Sequence, residues 1–414
     1  MLLGFKTQLL PNNKQVTAFR KASGVARHAY NWANATIQKC LEEKQKVPSA
    51  IDLHKRLVAE VKIANQWYYE TNKNVPQKAL ADIRQAWDRC FKKISQQPRF
   101  KKKGQRDSFY LEQGTKASPK IQNDGKRVRL PSIGWVRLSE PLPVTAVHNC
   151  VISRQADRWF IAVKYEIEKP IVSIDRTTVG VDIGIKELAV CSDGKVFSNP
   201  KAYKRMSKRL KRYQRRISKR VKGSKNRTKA IRKVAKIHAK ISNIRQDAIH
   251  KLTHYLAKNH SEVRIEDLHV KAFLKNHKLA GAIADCGMYE FKRQLEYKTE
   301  KFQSKLILVN RFFPSSQICS DCGTHRHKMP LKSRIYHCPE CGYTADRDLN
   351  AAKNIEGWFE GIHIPIRSDQ TVSSTEIACE ADKPLRSHSK TAMKQEVNAK
   401  TTFVQLSLDL GSFG

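Results

Sequence analysis

Two cysteine pairs, Cys319-Ser320-Asp321-Cys322 and Cys338-Pro339-Glu340-Cys341, form a C-x2-C-x15-C-x2-C pattern, each pair followed by a glycine, Gly323 and Gly342. Two residues between sulfurs let a tight turn aim both thiolates at one ion, and the glycine lets the backbone bend there without steric cost. Four thiolates close a tetrahedral shell, so the pattern predicts one structural Zn²⁺ with no open position for catalysis. His325, His327 and His337 lie close by, but four sulfurs already saturate the ion. The histidines are expected at the surface or facing nucleic acid.

Three carboxylates could build a second centre. Asp182 interrupts the apolar run Val179-Gly180-Val181-Asp182-Ile183-Gly184-Ile185-Lys186, and Glu266 ends the β-like run Val263-Arg264-Ile265-Glu266. Asp348 lies in Asp346-Arg347-Asp348-Leu349-Asn350-Ala351-Ala352, where a helix should begin and where the alanines would let it pack closely on a sheet. An acid on an apolar strand is costly to bury alone. Three acids converging from two strands and a helix would repel one another unless cations lay between them. Two Mg²⁺ ions about 4 Å apart would resolve this, activating water on one side of a phosphodiester and stabilising the leaving oxygen on the other. Each acid also has a plainer role: Asp182 in a turn, Glu266 or Asp267 as a surface charge, Asp348 as a helix N-cap. Asp267 and Asp346 are the nearest competitors for the second and third places.

The chain that must position these groups has 414 residues, enough for two or three domains with real cores. Its 79 Lys and Arg against 38 Asp and Glu leave a net charge of +41. Such an excess repels itself in the compact state and points to nucleic acid as the partner. No stretch approaches the ~20 apolar residues of a membrane span, and Lys6 interrupts the short apolar start. The expectation is a cytosolic protein with no membrane partner, on the nucleoid when bound to DNA. Cys40, Cys90, Cys150, Cys191, Cys286 and Cys379 show no spacing logic and read as free thiols.

Along the chain, Leu2 to Leu10 reads as a strand ended by Pro11. Helical periodicity follows through Val16, Phe19, Val25, Ala29, Ala33 and Ile37, then over Ser49 to Ile63 and Pro76 to Ile94. In the last segment Leu80, Ile83, Trp87, Phe91 and Ile94 make one core-facing stripe. Pro98-Arg99-Phe100-Lys101-Lys102-Lys103 is a basic linker. Strands are predicted at Ser108–Leu111, Val128–Leu130, Trp135–Leu138, Val147–Arg154 and Trp159–Ile167, the last two joined by a hairpin turn at Gln155-Ala156-Asp157-Arg158. Val179 to Val190, with a turn at Ser192-Asp193-Gly194, predicts a β-meander opening a second domain.

Residues 201–240 hold 19 Lys or Arg and no acid. Tyr203, Met206, Leu210, Tyr213, Ile217 and Val221 recur at helical steps, Lys222-Gly223-Ser224 breaks the run, and Ile231, Val234, His238, Ile241 and Ile244 continue it. This predicts a helical hairpin with an apolar seam and a cationic outer face. One-sided charge forgoes the mixed i,i+4 pairs of an ordinary solvated face, so a polyanion is expected against it. Beyond residue 363 the composition predicts a disordered tail, with a short strand at Val404–Leu408 as its one periodic stretch.

Strand, meander, helix and helix-borne acid describe an RNase H-like domain. Arg27-His28-Ala29-Tyr30-Asn31-Trp32, Gly180 to Lys186, Arg245-Gln246-Asp247, His250-Lys251-Leu252-Thr253, Glu266-Asp267-Leu268, Phe291 to Lys298 and Pro314-Ser315-Ser316-Gln317, with the segment from Asp346 to Ala352, add more. Together these motifs resemble the TnpB (OrfB) proteins of bacterial insertion sequences, relatives of type V CRISPR effectors, over most of the chain. The resemblance implies an RNA-guided DNA endonuclease with Asp182, Glu266 and Asp348 as its RuvC triad. It implies an α+β multidomain fold: a RuvC-like nuclease domain (171–313 and 344–362) with an inserted zinc ribbon (314–343), and an N-terminal β-barrel wedge domain (1–10 and 100–170) with a helical recognition insertion (11–99).

It further implies a guide RNA derived from the transposon end, a double-stranded DNA target beside a short motif, and cleavage dependent on Mg²⁺. Base pairing would then supply specificity while the protein holds the heteroduplex by its backbone. Lys101, Lys102, Lys103, Lys204, Arg205, Lys208, Arg209, Arg212 and Arg216 are the candidate phosphate contacts, with Arg27 and Tyr30 beside them. Tyr30, Trp32 and Trp67 could stack on bases, core packing being the plainer role for at least two. An unguided RuvC-type nuclease, a transposase and a nuclease-inactive guided binder are the alternatives.

Overall fold

The computed structural model describes residues 1–363 apart from 115–119, 144–146, 148, 172–174, 327–328, 331–332 and 360–361. His327, Cys379 and the tail with its expected strand at Val404–Leu408 lie outside the described residues. The chain divides into two compact units, one from Leu2 to Ile167 and one from Glu168 onward.

The first unit opens with strand β1 (Leu2–Leu10). Asn12 then starts α1 (Asn13–Glu42) through a reciprocal pair of hydrogen bonds with Gln15 that satisfies two free N–H groups. Helix α2 (Ala50–Arg56) is begun the same way by Ser49 and Asp52, but runs into a π-helical turn at Leu57–Lys62 where the periodicity predicted one continuous helix. Helix α3 (Asn74–Phe91) buries Leu80, Ile83 and Trp87. Phe91 and Ile94, expected on the same stripe, are 45% and 37% exposed, because the helix ends at Phe91 and Lys93 turns the chain at φ 55°.

Strands β2 (Ser108–Glu112), β3 (Gln122–Asn123), β4 (Arg127–Leu130), β5 (Gly134–Leu138), β6 (Asn149–Gln155) and β7 (Arg158–Glu166) join β1 in one antiparallel sheet, ordered β2-β6-β7-β1-β5-β4-β3. The β6–β7 turn is the predicted one, with Ala156 at φ 56°. Alternate sheet residues meet the face of α1, where Phe19 packs edge-on to Trp159 at 5.1 Å and lies 5.8 Å from Phe109.

In the second unit β8 (Thr178–Asp182), β9 (Glu187–Cys191) and β10 (Val196–Ser198) form the expected antiparallel meander. Strand β11 (Glu262–Glu266) then pairs parallel with β8 on one side and with β12 (Lys305–Val309) on the other, giving the order β10-β9-β8-β11-β12. Parallel neighbours need crossovers. Helices α4 (Ala202–Ser218) and α5 (Lys225–Asn259) supply the first, and α6 (Val270–Phe273), α7 (Ala280–Cys286) and α8 (Met288–Phe302) the second. Leu252, Leu256, Phe291 and Leu295 of α5 and α8 are buried with Val179, Val181, Val263 and Ile265 of the sheet.

The two helices also share a buried polar network. Lys298 Nζ donates to the His250 carbonyl at 2.9 Å and to Thr253 Oγ1 at 2.7 Å, and Thr253 donates to Gln294 Oε1 at 3.0 Å. Burial pushes the Lys298 ammonium down to about 8.

The predicted cationic hairpin is α4 with α5, but its seam runs differently. Leu210, Tyr213 and Ile217 meet Ala230, Val234, Ile237 and Ile241, whereas Tyr203, Val221 and Ile231 are exposed. Ile237 takes the place given to His238, and Val221 falls in the turn between the helices. The hairpin β13 (Ile335–His337) and β14 (Thr344–Asp346) and helix α9 (Arg347–Glu356) follow, before a last short antiparallel pair, β15 (Trp358–Phe359) and β16 (Ile362–His363).

Candidate active site

Val181 of β8 pairs with Ile265 of β11 in parallel register, so the acids that follow them, Asp182 and Glu266, leave adjacent strands at the same end. Helix α9 brings the third. It crosses β8 so closely that a Cβ on Gly180 would lie 2.1 Å from the Ala352 carbonyl oxygen and 2.4 Å from the Glu356 amide. Only a glycine on the strand and small residues on the helix allow that approach; Ala351 and Ala352 are buried against it. Asp348 sits in the first turn of this helix. The charges of Glu266 and Asp348 both act on Asp182.

Burial first, then those two neighbouring charges, push the Asp182 carboxyl up to about 7. Burial also raises Glu266, opposed by the hydroxyl of Ser315, which donates to its Oε1 at 2.7 Å. The competing acids are engaged elsewhere. Asp267 accepts from Lys292 at 2.9 Å and Arg311 at 2.7 Å, and Asp346 caps α9, accepting from the Asp348 and Leu349 amides at 2.9 and 3.2 Å.

A half-buried cluster of hard oxygen donors held close to like charges suits Mg²⁺ better than a soft ion. Arg347 bears on Asp182, and Arg334 lies 3.9 Å from Asp348.

The four cysteines form a tighter group. Their sulfurs all lie within 4.8 Å of one another, with Cys319 to Cys341 at 3.7 Å and Cys322 to Cys338 at 3.6 Å. Thiolates about 2.3 Å from a tetrahedral zinc stand about 3.8 Å apart, so the spacing fits that ion. Each pair sits on a turn in which the first cysteine's carbonyl accepts from the glycine amide, Gly323 at 3.0 Å and Gly342 at 3.1 Å. Both glycines have positive φ, 80° and 71°. His325 and His337 are exposed, and His337 Nδ1 pairs with Thr344 Oγ1 at 2.9 Å instead of facing the sulfurs. Among the described residues the thiols are the one group of metal-capable side chains drawn this close.

Two asparagines, unremarked in the sequence, join the centres. Asn350 Nδ2 donates to the Ile318 carbonyl at 2.7 Å, and its Oδ1 accepts from the Ser320 amide at 3.0 Å. Asn354 Nδ2 donates to the carbonyls of Ser315 at 2.7 Å and Ile318 at 2.6 Å. Both are fully buried one turn apart on α9, so the helix carrying Asp348 also holds the loop from Ser315 to the first cysteine turn. Their i,i+4 spacing on the alanine face was the available signal.

The candidate nucleic-acid residues divide. Lys204, Arg205, Lys208, Arg209, Arg212 and Arg216 are all exposed on α4, as are Lys102 and Lys103 in the first unit. Arg27 pairs with Asp107 at 3.3 Å. Lys101 Nζ lies 3.9 Å over the Tyr30 ring, which is buried. Trp32 packs on the core, and Trp67 is partly exposed, stacked on Tyr68 at 4.5 Å.

Comparison with known proteins gives concordant results. The profile of the IS605 OrfB family, described as "Probable transposase", matches residues 162–277, that of the Cas12f1-like TNB domain residues 289–355, and an OrfB helix-turn-helix profile residues 1–46. A Streptomyces pristinaespiralis protein provisionally named an RNA-guided DNA endonuclease is 36% identical over 85% of this chain and 88% of its own. Escherichia coli K12 InsQ, with the same provisional description, is 34% identical over 86% and 91%. A chain in a solved Cas12f1–sgRNA–target DNA complex shares the fold at TM-score 0.52 and 15% identity, covering 83% of this chain and 82% of that one. The fold is thus a Cas12f-like multidomain α+β architecture, and none of its described helices is long and apolar enough to cross a membrane. With such identity along most of both lengths, the chain belongs to the OrfB family, the TnpB-like proteins whose relatives here carry the name RNA-guided DNA endonuclease.

Proposed function

We propose that this protein is an RNA-guided DNA endonuclease that hydrolyses phosphodiester bonds at a site made by Asp182, Glu266 and Asp348. The observation that carries the reading is the meeting of three carboxylates from β8, β11 and α9, where burial and then the charges of Glu266 and Asp348 push Asp182 up to about 7. A protein has no structural use for such mutual repulsion, whereas a cation site needs it. The sheet order β10-β9-β8-β11-β12, with acids at the ends of its two central parallel strands, supports an RNase H-like, RuvC-type domain.

Divalent cations held by these three carboxylates, two Mg²⁺ in our reading, would supply the activated water and stabilise the leaving oxygen. The chain's own residues set the stage for that chemistry. Ser315 donates to Glu266 and favours its ionised form against the pull of burial. Gly180 and the two alanines fix the distance of Asp348 from the strands. Zinc in the four-thiolate cluster would be structural, holding the ribbon beside α9. The seven-stranded sheet and the helices of 11–99 are read as the wedge-type barrel domain and its recognition insertion. Together with the cationic α4–α5 hairpin they would hold guide RNA and the heteroduplex through phosphates.

The test is to express the gene with its native flanking DNA, sequence the RNA that copurifies, and assay cleavage of a matching target with Mg²⁺. One discrete RNA whose end matches sequence outside the element is expected, together with cleavage that Asp182→Ala abolishes, about 10³-fold or more, without loss of the RNA. Cleavage surviving in Asp182→Ala would remove the triad assignment. A heterogeneous RNA mixture would favour an unguided nuclease or a transposase.

A further inference from the structure

Beside the acids, the second unit holds a cavity of about 610 Å³ whose polar lining includes Lys186, Asn199, Lys201, Lys204, Ser207 and Arg334. Four of those six side chains are cationic. Asp285 also borders the space, but its carboxylate is already used: it accepts from the Tyr203 and Lys204 amides at 3.0 and 3.3 Å and from Arg245 Nε at 3.0 Å. No ion pair among the described residues engages Lys186, Lys201 or Lys204. Cations gathered in a concave site without a counter-charge raise one another's energy and focus a positive field into it.

The backbone of one of these lysines, Lys201, is pinned. It has φ 45° and ψ 45°, the left-handed region that a residue with a Cβ avoids and a glycine enters freely. Asn199 holds it there: its Oδ1 accepts from the Lys201 amide at 3.0 Å, while its Nδ2 donates to the Ile185 carbonyl at 2.9 Å. The left-handed backbone, pinned by Asn199, fixes the point from which the Lys201 side chain leaves the main chain. Arg334 ties the cavity to the acids, since it lines the one and lies 3.9 Å from Asp348 in the other.

We infer that this cavity seats a backbone phosphate of the single DNA strand lying across the three acids, with Lys201 and Lys186 as positioning residues. The inference rests on the nuclease reading above. Lysines suit a point-charge contact that is indifferent to sequence. A seat of this kind would set the register of the scissile bond against the carboxylates.

The test uses the full protein with its copurified RNA and target strands carrying a single uncharged methylphosphonate at successive positions around the cut. In the wild type, one neutralised linkage near the cut should slow single-turnover cleavage by about fivefold. Lys201→Gly should slow cleavage of the all-phosphate strand by a similar factor and abolish the sensitivity at that linkage. It should also lower by about 0.7 the slope of log affinity for a labelled single strand against log salt. Its thermal midpoint should hold or rise, because glycine relaxes the left-handed backbone.

Unchanged cleavage and an unchanged interference pattern in Lys201→Gly would overturn the inference, as would a wild-type pattern with no sensitive linkage. If the midpoint of Lys201→Gly falls, Lys186→Gln carries the same comparison without touching the backbone. No cleavage by the wild type would instead sink the nuclease reading itself, and cleavage by Asp182→Ala the triad assignment, whatever the lysine variants do.

Discussion

The four-cysteine cluster and the three-acid cluster both look built for metal, yet they are made in opposite ways. Each cysteine pair spans four residues and is shaped by its own turn, with a glycine of positive φ closing it. Only the meeting of the two knuckles is tertiary. The acids come from two strands and a helix spread over 166 positions, from Asp182 to Asp348, and no local turn relates them. Thiols also draw to within 3.6–3.7 Å in pairs, whereas burial and the charges of Glu266 and Asp348 raise the proton affinity of Asp182. The contrast teaches that a site of soft, neutralisable ligands can be written into a short pattern. A site of like charges has to be forced together by the rest of the fold.

The sharpest break of that contrast is Cys338→Ser. Cys338 is fully buried, and losing one thiolate should remove the metal from the purified protein, from one ion per chain to none, an affinity loss of about 10²-fold or more. Elemental analysis reads this directly, and full retention of the ion would contradict the four-thiolate shell. Gly180→Ala strikes the other centre. Its Cβ meets backbone, which cannot swing aside, so α9 must move away from β8 at a cost of about 3 kcal/mol, with cleavage lost while the thiolate metal stays bound. A melt and a metal assay on one sample separate the two results; metal lost along with cleavage would mean that the centres are one unit.

Asn354→Ala probes the join between them. It strips the buried Ser315 carbonyl of its donor and leaves the Ile318 carbonyl to Asn350 alone, which should cost about 2 kcal/mol and weaken cleavage and metal retention together. A loss confined to one centre would show that the asparagine serves only that side. Ser315→Ala has the smallest effect. Its hydroxyl favours the ionised form of Glu266, so removing it raises that carboxyl further above its ordinary value. Because the carboxylate is the form that holds a cation, the pH at which Mg²⁺ affinity is half-maximal should move upward. A downward move would mean that the hydroxyl acts in some other way.

Much of the architecture was legible because it follows short-range rules. The strand from Leu2 to Leu10 stops at a proline, the β6–β7 turn falls at Ala156-Asp157, and the meander after Asp182 follows the alternation of its residues. Periodicity misled where the partner surface decides which face is inside. Phe91 lies on the apolar stripe of α3 but beyond its core contact, and the seam of the cationic hairpin takes Ile237 in place of His238. The π-helical turn at Leu57–Lys62 left no mark in the pattern at all. At the acids, the residue types were readable and their rivals were not separable. Asp346 and Asp267 have the same chemistry as Asp348 and Glu266 and lie within two residues of them. Only the partners that each carboxylate finds distinguish a cap or an ion pair from a member of the cluster.

By itself the sequence determined the charge that requires a polyanion, the two knuckles that shape four thiolates, and the acids placed at a strand end, a second strand end and a helix start. These depend on spacing and composition, which survive without knowledge of what packs where. The tertiary structure alone decided that Gly180 admits α9 to the backbone of β8, that Asn350 and Asn354 tie that helix to the cysteine loop, and that Lys186, Lys201, Lys204 and Arg334 face one cavity. Those facts depend on close approach between residues far apart in the chain, where a gap of an ångström separates a contact from a clash, and no one-dimensional pattern carries that distance.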